Sequence, residues 1–262
     1  MKYLLLLLSP LFIFAKVHYA KVEPYETITL KSAVSAQVTK ANISLEGTSV
    51  SATIIKLDDK LDRTKLSSSK SSLNLVQSMI KTNQNILSAL TQSLNKQKAY
   101  YQRIDTIASA SKTQKDNAFY AYTNAKTQYF STKEKIDSLK KQKLDLKYEM
   151  ARLQDSISKK SIKVNNKFLY KLLVNKGDFV NMGTPLAQVQ DLSKGKLVLF
   201  LEAEEIKEIK SKTIYIEGKL SKFKVSKIWK VADEKFISSY RTEILINNPK
   251  TNFSKLLKVE FK

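Results

Sequence analysis

The chain contains no glycine and no proline between Gly47 and Gly177. Average usage would place one of these residues about every eight positions, so the gap indicates a backbone that tolerates neither. A long α-helix is such a backbone, because glycine costs a helix about 1 kcal/mol and proline about 3 kcal/mol. Similar small segments, 45–50 and 175–180, stand at the two ends of the gap. The sequence therefore predicts a small β-module that a long helical insertion splits in two.

Apolar residues recur every seven positions inside this insertion. Each half of the insertion carries two such rows, and Asn83 and Gln97 are polar interruptions of one of them. A seven-residue period that is sustained over many helical turns predicts a left-handed coiled coil. The rows of the first half are Leu66, Leu73, Ile80, Leu87, Leu94, Tyr101, Ala108 and Val76, Leu90, Ile104; those of the second half are Ala118, Ala125, Thr132, Leu139, Leu146, Leu153 and Tyr122, Tyr129, Ile136, Lys143, Met150, Ile157.

The period breaks between Ala108 and Ala118, where residues 109–113 are small and polar. This composition suits a tight turn between two helices. Ser111 is the expected N-cap of the second helix, because a serine side chain can accept a hydrogen bond from the first turn. Gln114, three residues further on, would complete a capping box.

The two arms on either side of the break, 59–108 and 113–160, are nearly equal in length. Equal arms predict an antiparallel hairpin over 59–160, in which each arm extends about 70–75 Å. One continuous helix in an intermolecular coil is the alternative. The similar segments at the ends of the insertion oppose that alternative, since only a hairpin brings them together.

Strand-like runs flank the hairpin on both sides. Residues 27–58 and 162–192 are predicted to be the two halves of one β-domain. Residues 193–262 are predicted to be a compact β-barrel with one short helix, so the fold class is α+β. The strand-like runs of this last segment are 197–201, 213–216, 224–229, 242–246 and 257–261, and its helix spans 202–209.

The first residues have the pattern of a secretory signal, a lysine followed by an apolar run over 4–14. This run is far shorter than the roughly 20 residues of a membrane-spanning helix, and Lys16 closes it. We therefore predict a signal peptide over 1–20 with cleavage after Ala15 or Ala20. A retained membrane anchor is the alternative.

The chain has no cysteine, and His18 beside the predicted signal is its single histidine. Disulfides, thiolate metal sites and a lipid-anchored N-terminal cysteine are therefore excluded. The inventory for transition metals or for nucleophile–base catalysis is very poor. The adjacent pairs Asp58-Asp59 and Glu204-Glu205 lack partners of other types and are interpreted as cap or surface carboxylates. The sequence thus predicts neither an enzyme nor a cofactor.

Lysine and arginine outnumber aspartate and glutamate by 46 to 24, which gives a formal charge of +22. The basic residues are scattered along the chain and accompany no recognisable nucleic-acid motif. They are therefore interpreted as a solvated basic surface that favours anionic partners or membrane headgroups.

Residues 177–189, Gly-Asp-Phe-Val-Asn-Met-Gly-Thr-Pro-Leu-Ala-Gln-Val, resemble the biotinyl/lipoyl-like fold as it is used in periplasmic adaptor proteins, the membrane fusion or HlyD-type family. The family carries this glycine turn and strand once in each half of the module, which makes Gly47, Gly177, Asp178 and Gly183 the turn residues here. The first copy is two residues shorter and lacks the second glycine. Residues 197–206 are similar to the start of the family's barrel.

The resemblance implies a periplasmic adaptor that links an inner-membrane transporter, of the RND or ABC type, to a TolC-like outer-membrane channel for the efflux of small molecules. It also implies a homo-oligomeric ring, no cofactor, no nucleic-acid partner, and association with the inner membrane through the transporter. An adaptor of an ABC-type, type I secretion exporter is one alternative. An exported structural coiled-coil protein without a transport role is another. Many adaptors continue into a membrane-proximal domain after the barrel. This chain is expected either to be a short adaptor or to contact the transporter through the barrel alone.

A true lipoyl or biotin carrier is a further alternative, which the insertion opposes. Such a carrier holds its modified lysine at a tight hairpin between the two halves, where this chain has the helical insertion. Lys60 is the lysine nearest to that position, and it lies at the start of an arm.

The hairpin tip is also comparable with the family. Adaptors that meet a TolC-like channel tend to carry an arginine, a leucine four residues later and a serine seven residues after that. Ile104 takes the leucine position and Ser111 the serine position, whereas Tyr100 stands at the arginine position with Arg103 nearby. With Lys112, these five residues are the predicted channel-docking tip. The alternative is that Ile104 is only a seam residue and Ser111 only a cap.

Overall fold

The structure, a computed structural model, describes residues 16–247, 249 and 253–262. The described residues form one connected sheet of eleven strands and three α-helices. The strands are β1 Val17–Lys31, β2 Ala36–Ala41, β3 Thr48–Leu57, β4 Ser161–Leu172, β5 Phe179–Val180, β6 Pro185–Glu202, β7 Ile214–Ile216, β8 Lys219–Leu220, β9 Val225–Ile228, β10 Ser239–Asn247 and β11 Leu256–Phe261; the helices are α1 Lys60–Thr106, α2 Lys112–Lys159 and α3 Ala203–Glu208. The order of strands along the sheet is β5-β2-β3-β4-β6-β1-β11-β7-β8, with β10 paired to β6 and β9 to β10.

The two halves on either side of the hairpin form one β-domain. β3 of the first half pairs antiparallel with β4 of the second, and β2 of the first half pairs with β5 of the second. Val50 and Val180, which follow the two similar turns, are buried in the same hydrophobic core. The predicted split module is therefore confirmed.

A second hydrophobic core lies among β6, β10, β11, β7 and the start of β1, beside α3. Its side chains follow the two-residue alternation of strands, as with Leu197, Leu199 and Leu201 of β6, which are all buried. The α+β class, with a second β-domain after the split module, is therefore confirmed.

The sequence prediction missed one strand of this second core. The beginning of β1 pairs with β11, from Val17 opposite Glu260 to Lys21 opposite Leu256. Ala20 is 1% exposed in this core. Residues 17–20 therefore belong to a strand, and among the two expected cleavage positions only the earlier one leaves that strand whole. The other residues of the predicted signal, 1–15, lie outside the described residues.

β1 and β6 run through both cores side by side. Their pairing shifts register between Pro24 and Glu26, which marks a bulge between the two cores. Gly195 of β6 lies opposite Pro24, and a Cβ at position 195 would lie 3.0 Å from Cγ1 of the buried Val22. The close approach of the neighbouring strand therefore favours glycine here, because any side chain would press on Val22.

α1 and α2 form the predicted antiparallel hairpin. Near its base, Lys65 Nζ lies 2.8 Å from Glu149 Oε1 and Ser156 Oγ donates to Asp62 Oδ2 at 2.7 Å. The later residue of α1 contacts the earlier residue of α2, so the two helices are antiparallel. The alternative of one continuous helix is wrong for this chain, because the chain reverses direction between the end of α1 at Thr106 and the start of α2 at Lys112.

The seam of the hairpin follows the predicted rows. Every residue of those rows except Ala108 is buried or half-buried, including the polar Asn83 and Gln97. Ala108 is exposed because α1 ends at Thr106. Asn83 satisfies its buried amide by donating from Nδ2 to the Met79 carbonyl at 2.8 Å. Ser69, which the prediction did not include, is also buried in the seam.

Candidate functional site

The hairpin tip is a short loop between two capped helix ends. The Ile107 amide donates to the Ile104 carbonyl at 3.2 Å, which closes the last turn of α1. At the start of α2, Ser111 Oγ accepts from the Gln114 amide at 3.2 Å, and Gln114 Oε1 accepts from the Ser111 amide at 2.9 Å. The predicted capping box is therefore confirmed. Lys115 Nζ donates to the Asp105 carbonyl at 2.8 Å and ties the two helix ends together.

The five predicted tip residues fall into two groups. Ile104 is half-buried in the seam, and the Ser111 hydroxyl is engaged in the cap, so both have a structural role at the tip. Tyr100, Arg103 and Lys112 are exposed. Residues three apart on a helix are neighbours on its surface, so the side chains of Tyr100 and Arg103 share one flank of α1.

Sequence reasoning missed the aromatic residues behind the tip. Tyr101 makes an edge contact with Phe119 at 5.6 Å between ring centroids and stacks on Tyr122 at 5.9 Å. Phe119 and Tyr120 stay exposed, on the first turns of α2 and within roughly 15 Å of the loop along the helix axis. The sequence did contain an indication of this exposed surface, because Phe119 and Tyr120 follow Ala118 of the seam row and lie outside the predicted heptad positions.

A second exposed apolar feature runs along one flank of α1. Met79, Ile86 and Tyr100 are exposed and are separated by multiples of seven residues, and exposed Leu75 lies one turn before Met79. Lys81 is the only charged residue over 71–95, and Lys96 and Lys98 follow before Tyr100, so the flank is weakly charged over most of its length. This α1 flank, defined by Leu75, Met79, Ile86 and Tyr100, is a long strip of weakly charged surface.

The predicted turn residues hold the two halves of the β-domain together. The Gly47 amide donates to the Leu169 carbonyl of the second half at 2.8 Å. In return, the Gly177 amide donates to the Val38 carbonyl of the first half at 2.9 Å. Both glycines have positive φ, +74° and +99°, a conformation that glycine adopts at little cost.

The other two turn residues shape the second turn. Asp178 Oδ2 accepts from the Asn175 amide at 2.7 Å, which closes the turn before β5. Gly183 has φ of +85°, and its amide donates to the Ser32 carbonyl at 2.8 Å. These contacts are structural, and they stabilise the β-domain from which the hairpin extends.

The adjacent carboxylates lie at helix starts. Asp58 Oδ1 accepts from the Lys60 amide at 3.1 Å, at the beginning of α1. The Arg63 guanidinium, 2.8 Å from Asp59 Oδ2 through Nε, lowers the pKa of Asp59. Glu205 Oε2 accepts from the Glu202 amide at 3.0 Å in the cap of α3. These positions suit anions, because the start of a helix carries a partial positive charge.

His18 is a structural residue of the second core. Its Nε2 lies 2.8 Å from Glu205 Oε1, and its ring makes an edge contact with Phe261 at 5.9 Å between centroids. Its side chain is only 11% exposed. The sequence placed it in or beside the signal, whereas the structure places it in β1.

Two further observations concern metal binding and membrane crossing. Among residues 16–247, 249 and 253–262, no cluster of three or more histidine, cysteine, aspartate or glutamate side chains is arranged to hold a metal ion. Within the same ranges, no helix is long and apolar enough to cross a membrane.

Comparison with solved structures gives the relatives of this fold. MacA from Actinobacillus actinomycetemcomitans has a TM-score of 0.73 and 15% identity over 94% of this chain and 78% of that chain. A MacA-MexA chimeric protein with the Pseudomonas aeruginosa MexA α-hairpin domain has a TM-score of 0.60 and 16% identity over 94% and 81%. The membrane fusion protein Spr0693 from Streptococcus pneumoniae R6 has a TM-score of 0.50 and 8% identity over 95% and 99%.

No protein-family model and no curated protein sequence matches the chain. The likeness therefore concerns the fold, and it extends over nearly the whole chain. The order of elements is the one that the resemblance implied: half module, helical hairpin, half module and second β-domain. This chain has the fold of the membrane fusion or periplasmic adaptor proteins, which is the fold that the resemblance in its sequence implied.

Proposed function

We propose that the chain is a periplasmic adaptor that links an inner-membrane transporter to a TolC-like outer-membrane channel for the efflux of small molecules. The observation that carries the proposal is the hairpin. Helices of 47 and 48 residues extend about 70 Å from the β-domain and end in a tip whose exposed side chains have no role in the seam. A protein of this form can connect two partners that lie far apart.

The tip is the proposed contact with the channel. Tyr100 and Arg103 present an aromatic ring and a guanidinium on one flank, and Phe119 and Tyr120 present further aromatic surface on α2. Aromatic residues and arginine dominate the binding energy of protein interfaces. The role of Ile104 and Ser111 in this proposal is to hold the tip in shape through the seam and the cap.

Self-association into a ring is the second part of the proposal. The α1 flank gives each hairpin a long weakly charged strip, along which a second copy can pack without bringing like charges together. This matters because the formal charge of the chain is +22, and self-association through its lysine-rich surfaces would be repulsive. Export through the N-terminal signal would place the assembly in the periplasm, at the inner membrane beside its transporter.

The proposal is tested by crosslinking in cells from a photoreactive residue at position 103, followed by identification of the captured protein by mass spectrometry. A probe at Tyr148, which is exposed on the opposite helix near the hairpin base, is the matched control. An outer-membrane channel captured from position 103 and absent from position 148 is the expected result. Capture of the same proteins from both positions would contradict a docking role for the tip.

A second measurement separates efflux from a purely structural role. The substitution Arg103→Glu reverses the charge of an exposed side chain, so the hairpin should remain folded, since exposed changes usually alter stability by less than about 0.5 kcal/mol. Cells that carry the variant should become as sensitive to small toxic compounds as cells without the gene. Normal resistance in the variant and in the deletion would favour the structural coiled-coil alternative. Loss of secretion of a protein substrate would instead favour the type I exporter alternative.

A further inference from the structure

A basic groove lies between α3 and β9 on the second β-domain. It has a volume of about 720 Å³ and is lined by Lys207 of α3, by Lys210 just after α3, and by Lys227 and Lys230 from β9 and the residues after it. Trp229 and Tyr240 complete its walls. All four lysines are exposed, whereas the two aromatic residues are half-buried.

The groove lysines form no ion pairs among the described residues, and after Lys230 the next acidic residues, Asp233 and Glu234, lie in the following loop. Within the ranges that the structure describes, none of the four lysines has a carboxylate within ion-pair distance, although fifteen other pairs of this kind are formed. Residues 219–230 contain five lysines and no acidic residue. The carboxylates of α3, Glu204, Glu205 and Glu208, line a different cavity, together with Lys16. The groove therefore concentrates positive charge that an anion can neutralise.

Two large aliphatic side chains are exposed in the loop that follows the last groove lysine, Lys230. The loop between β9 and β10 begins at Trp229, next to Lys230, and exposes Val231 by 77% and Ile237 by 86%. The loop is held in shape, because the Trp229 amide donates to the Arg241 carbonyl and the Asp233 amide donates to the Ser239 carbonyl, both at 2.9 Å. Phe236 also packs on Phe200 at 4.3 Å between centroids. The two aliphatic side chains are thus presented to solvent by a fixed loop.

Trp229 connects the charged and the apolar parts. Lys227 Nζ lies 4.3 Å from the centroid of its ring, and the Arg241 guanidinium carbon lies 5.0 Å away. Tryptophan is enriched where water meets lipid, and lysines keep their ammonium in water while their methylenes cover apolar surface. Lysine-rich surface beside exposed aliphatic side chains is the composition of protein segments that lie in the membrane interface.

We propose that this surface, the four groove lysines with Val231 and Ile237, binds the headgroups of an anionic phospholipid bilayer. The ammonium groups of Lys207, Lys210, Lys227 and Lys230 contact lipid phosphates, while the two aliphatic side chains enter the boundary between headgroups and acyl chains. A soluble phosphate would use the lysines alone and leave the aliphatic side chains without a role. The inference goes beyond the adaptor function and does not depend on it, because membrane binding requires neither a transporter nor a channel.

Flotation of the purified chain with lipid vesicles tests the proposal. Phosphatidylcholine vesicles with phosphatidylglycerol should bind the protein, vesicles of phosphatidylcholine alone should bind it at least tenfold more weakly, and added salt should weaken the binding. Replacing the four groove lysines with glutamine should reduce binding to anionic vesicles by more than tenfold, since each basic residue near such a surface contributes about 1 kcal/mol. The matched control replaces Lys126, Lys133, Lys141 and Lys147 of α2 with glutamine, and it should bind as the unchanged chain does.

Substitution of the two aliphatic residues distinguishes binding to a membrane from binding to free phosphate. The double substitution Val231→Ser and Ile237→Ser should weaken vesicle binding severalfold. The control is Leu144→Ser, at an exposed aliphatic position on α2, and it should leave vesicle binding unchanged. Circular dichroism verifies that each variant is folded. Equal binding to both kinds of vesicle would overturn the proposal. An equal loss of vesicle binding in the α2 lysine variant would also overturn it. The same holds if the serine variant binds vesicles as the unchanged chain does and inorganic phosphate displaces the protein completely.

Discussion

Two carboxylates show how individual side chains make this basic chain sensitive to acid. Lys167, which donates from Nζ to Asp191 Oδ2, and Ser193 lower the pKa of Asp191 to about 2. Lys258 and Lys262 lower the pKa of Glu260 to about 2 as well. The first pair joins β4 to β6 in the split module, and the second lies on β11 in the second core. Each β-domain therefore contains a carboxylate that is bound as the anion.

We expect the melting temperature to fall as the pH is lowered from about 4.5, the upper of the two ordinary pKa values, to about 2. A carboxyl group whose pKa is depressed in the folded state stabilises the fold above its unfolded pKa, and this contribution disappears as pH falls through the folded pKa. Thermal melts at a series of pH values check this. The difference between the unchanged chain and Asp191→Asn should be largest at neutral pH and should disappear as the pH falls below about 2.

Asp137→Asn is the matched control for this series, because the pair of Asp137 with Lys140 is exposed on both sides and such pairs contribute little. A difference for Asp191→Asn that persists well below pH about 2 would show that the side chain acts through its shape and not its charge.

Gly195 is a second residue whose environment determines its type. The substitution Gly195→Ala would place a methyl group 3.0 Å from Val22 Cγ1, and we expect it to destabilise the protein by about 1–3 kcal/mol, as overpacking does. Chemical denaturation measures this loss. In the double variant with Val22→Ala, which removes the colliding methyl group, the loss should be smaller than the sum of the single losses. Additive losses would contradict the close approach.

At the scale of elements, the hairpin was the most predictable part of the chain. Its length followed from the missing glycine and proline, and its seam followed from the seven-residue rows, because both patterns are local properties of a helix. Ser111 was predictable for the same reason, since a cap depends on residues three apart. The aromatic surface around Phe119 was missed, although the position of Phe119 directly after the seam residue Ala118 and outside the heptad rows could have indicated its exposure.

A crosslink checks the register of the hairpin. Leu73 and Leu146 lie at matching heights, since Asp62 and Ser156, and Lys65 and Glu149, are in contact below them. The chain has no cysteine, so Leu73→Cys with Leu146→Cys introduces the only thiols. A short thiol-reactive crosslinker should join them within one chain, as judged by mobility under denaturing conditions.

The pair Leu73→Cys and Ala125→Cys is the control for the crosslink. Position 125 is displaced by roughly 30 Å along α2, so a short reagent should not join it to position 73 in one chain. A product of two chains from the Leu73–Leu146 pair, with no internal crosslink, would contradict the hairpin.

The α1 flank carries the prediction for self-association. Ile86→Lys places a charge in the weakly charged strip, and we expect it to shift the sedimentation profile toward the monomer without changing helix content. Gln84→Lys adds the same charge to an exposed position of the same helix outside the strip and should leave the profile unchanged. Equal effects of both substitutions would indicate general charge repulsion and not a contact at the flank.

At the scale of the whole molecule, the sequence revealed the order of the parts but not how β1 is shared between them. Residues 26–31 of β1 pair with β6 in the split module, whereas residues 17–21 pair with β11 in the second core. The early part was hidden because it directly follows the apolar run of the predicted signal. Its pairing with β11 spans almost the entire chain, and no local pattern reveals such a partner.

Removal of the early part of β1 should therefore unfold the second core. A chain that begins at Lys21 lacks the buried Ala20 and most of the pairing with β11, whereas a chain that begins at Lys16 retains both. We expect the first chain to expose the second core to proteolysis and the second chain to resist it. Determination of the N-terminus of the exported protein should accordingly show Lys16. A mature protein that begins at Lys21 and is stably folded would contradict the role of this strand.

The junction between hairpin and β-domain also determines how the protein responds to force. α1 leaves from the end of β3 and α2 returns into β4, and these two strands are neighbours from Lys56 opposite Ser161 to Thr48 opposite Leu169. Tension along the hairpin axis loads both strands in the same direction, so their shared hydrogen bonds carry little of it and their outer neighbours, β2 and β6, resist it in shear. Separation of the two helices loads the same pair one hydrogen bond at a time, beginning with the Leu57 amide and the Lys160 carbonyl. The molecule should thus resist tension along the hairpin axis and should open first when its two helices are pulled apart.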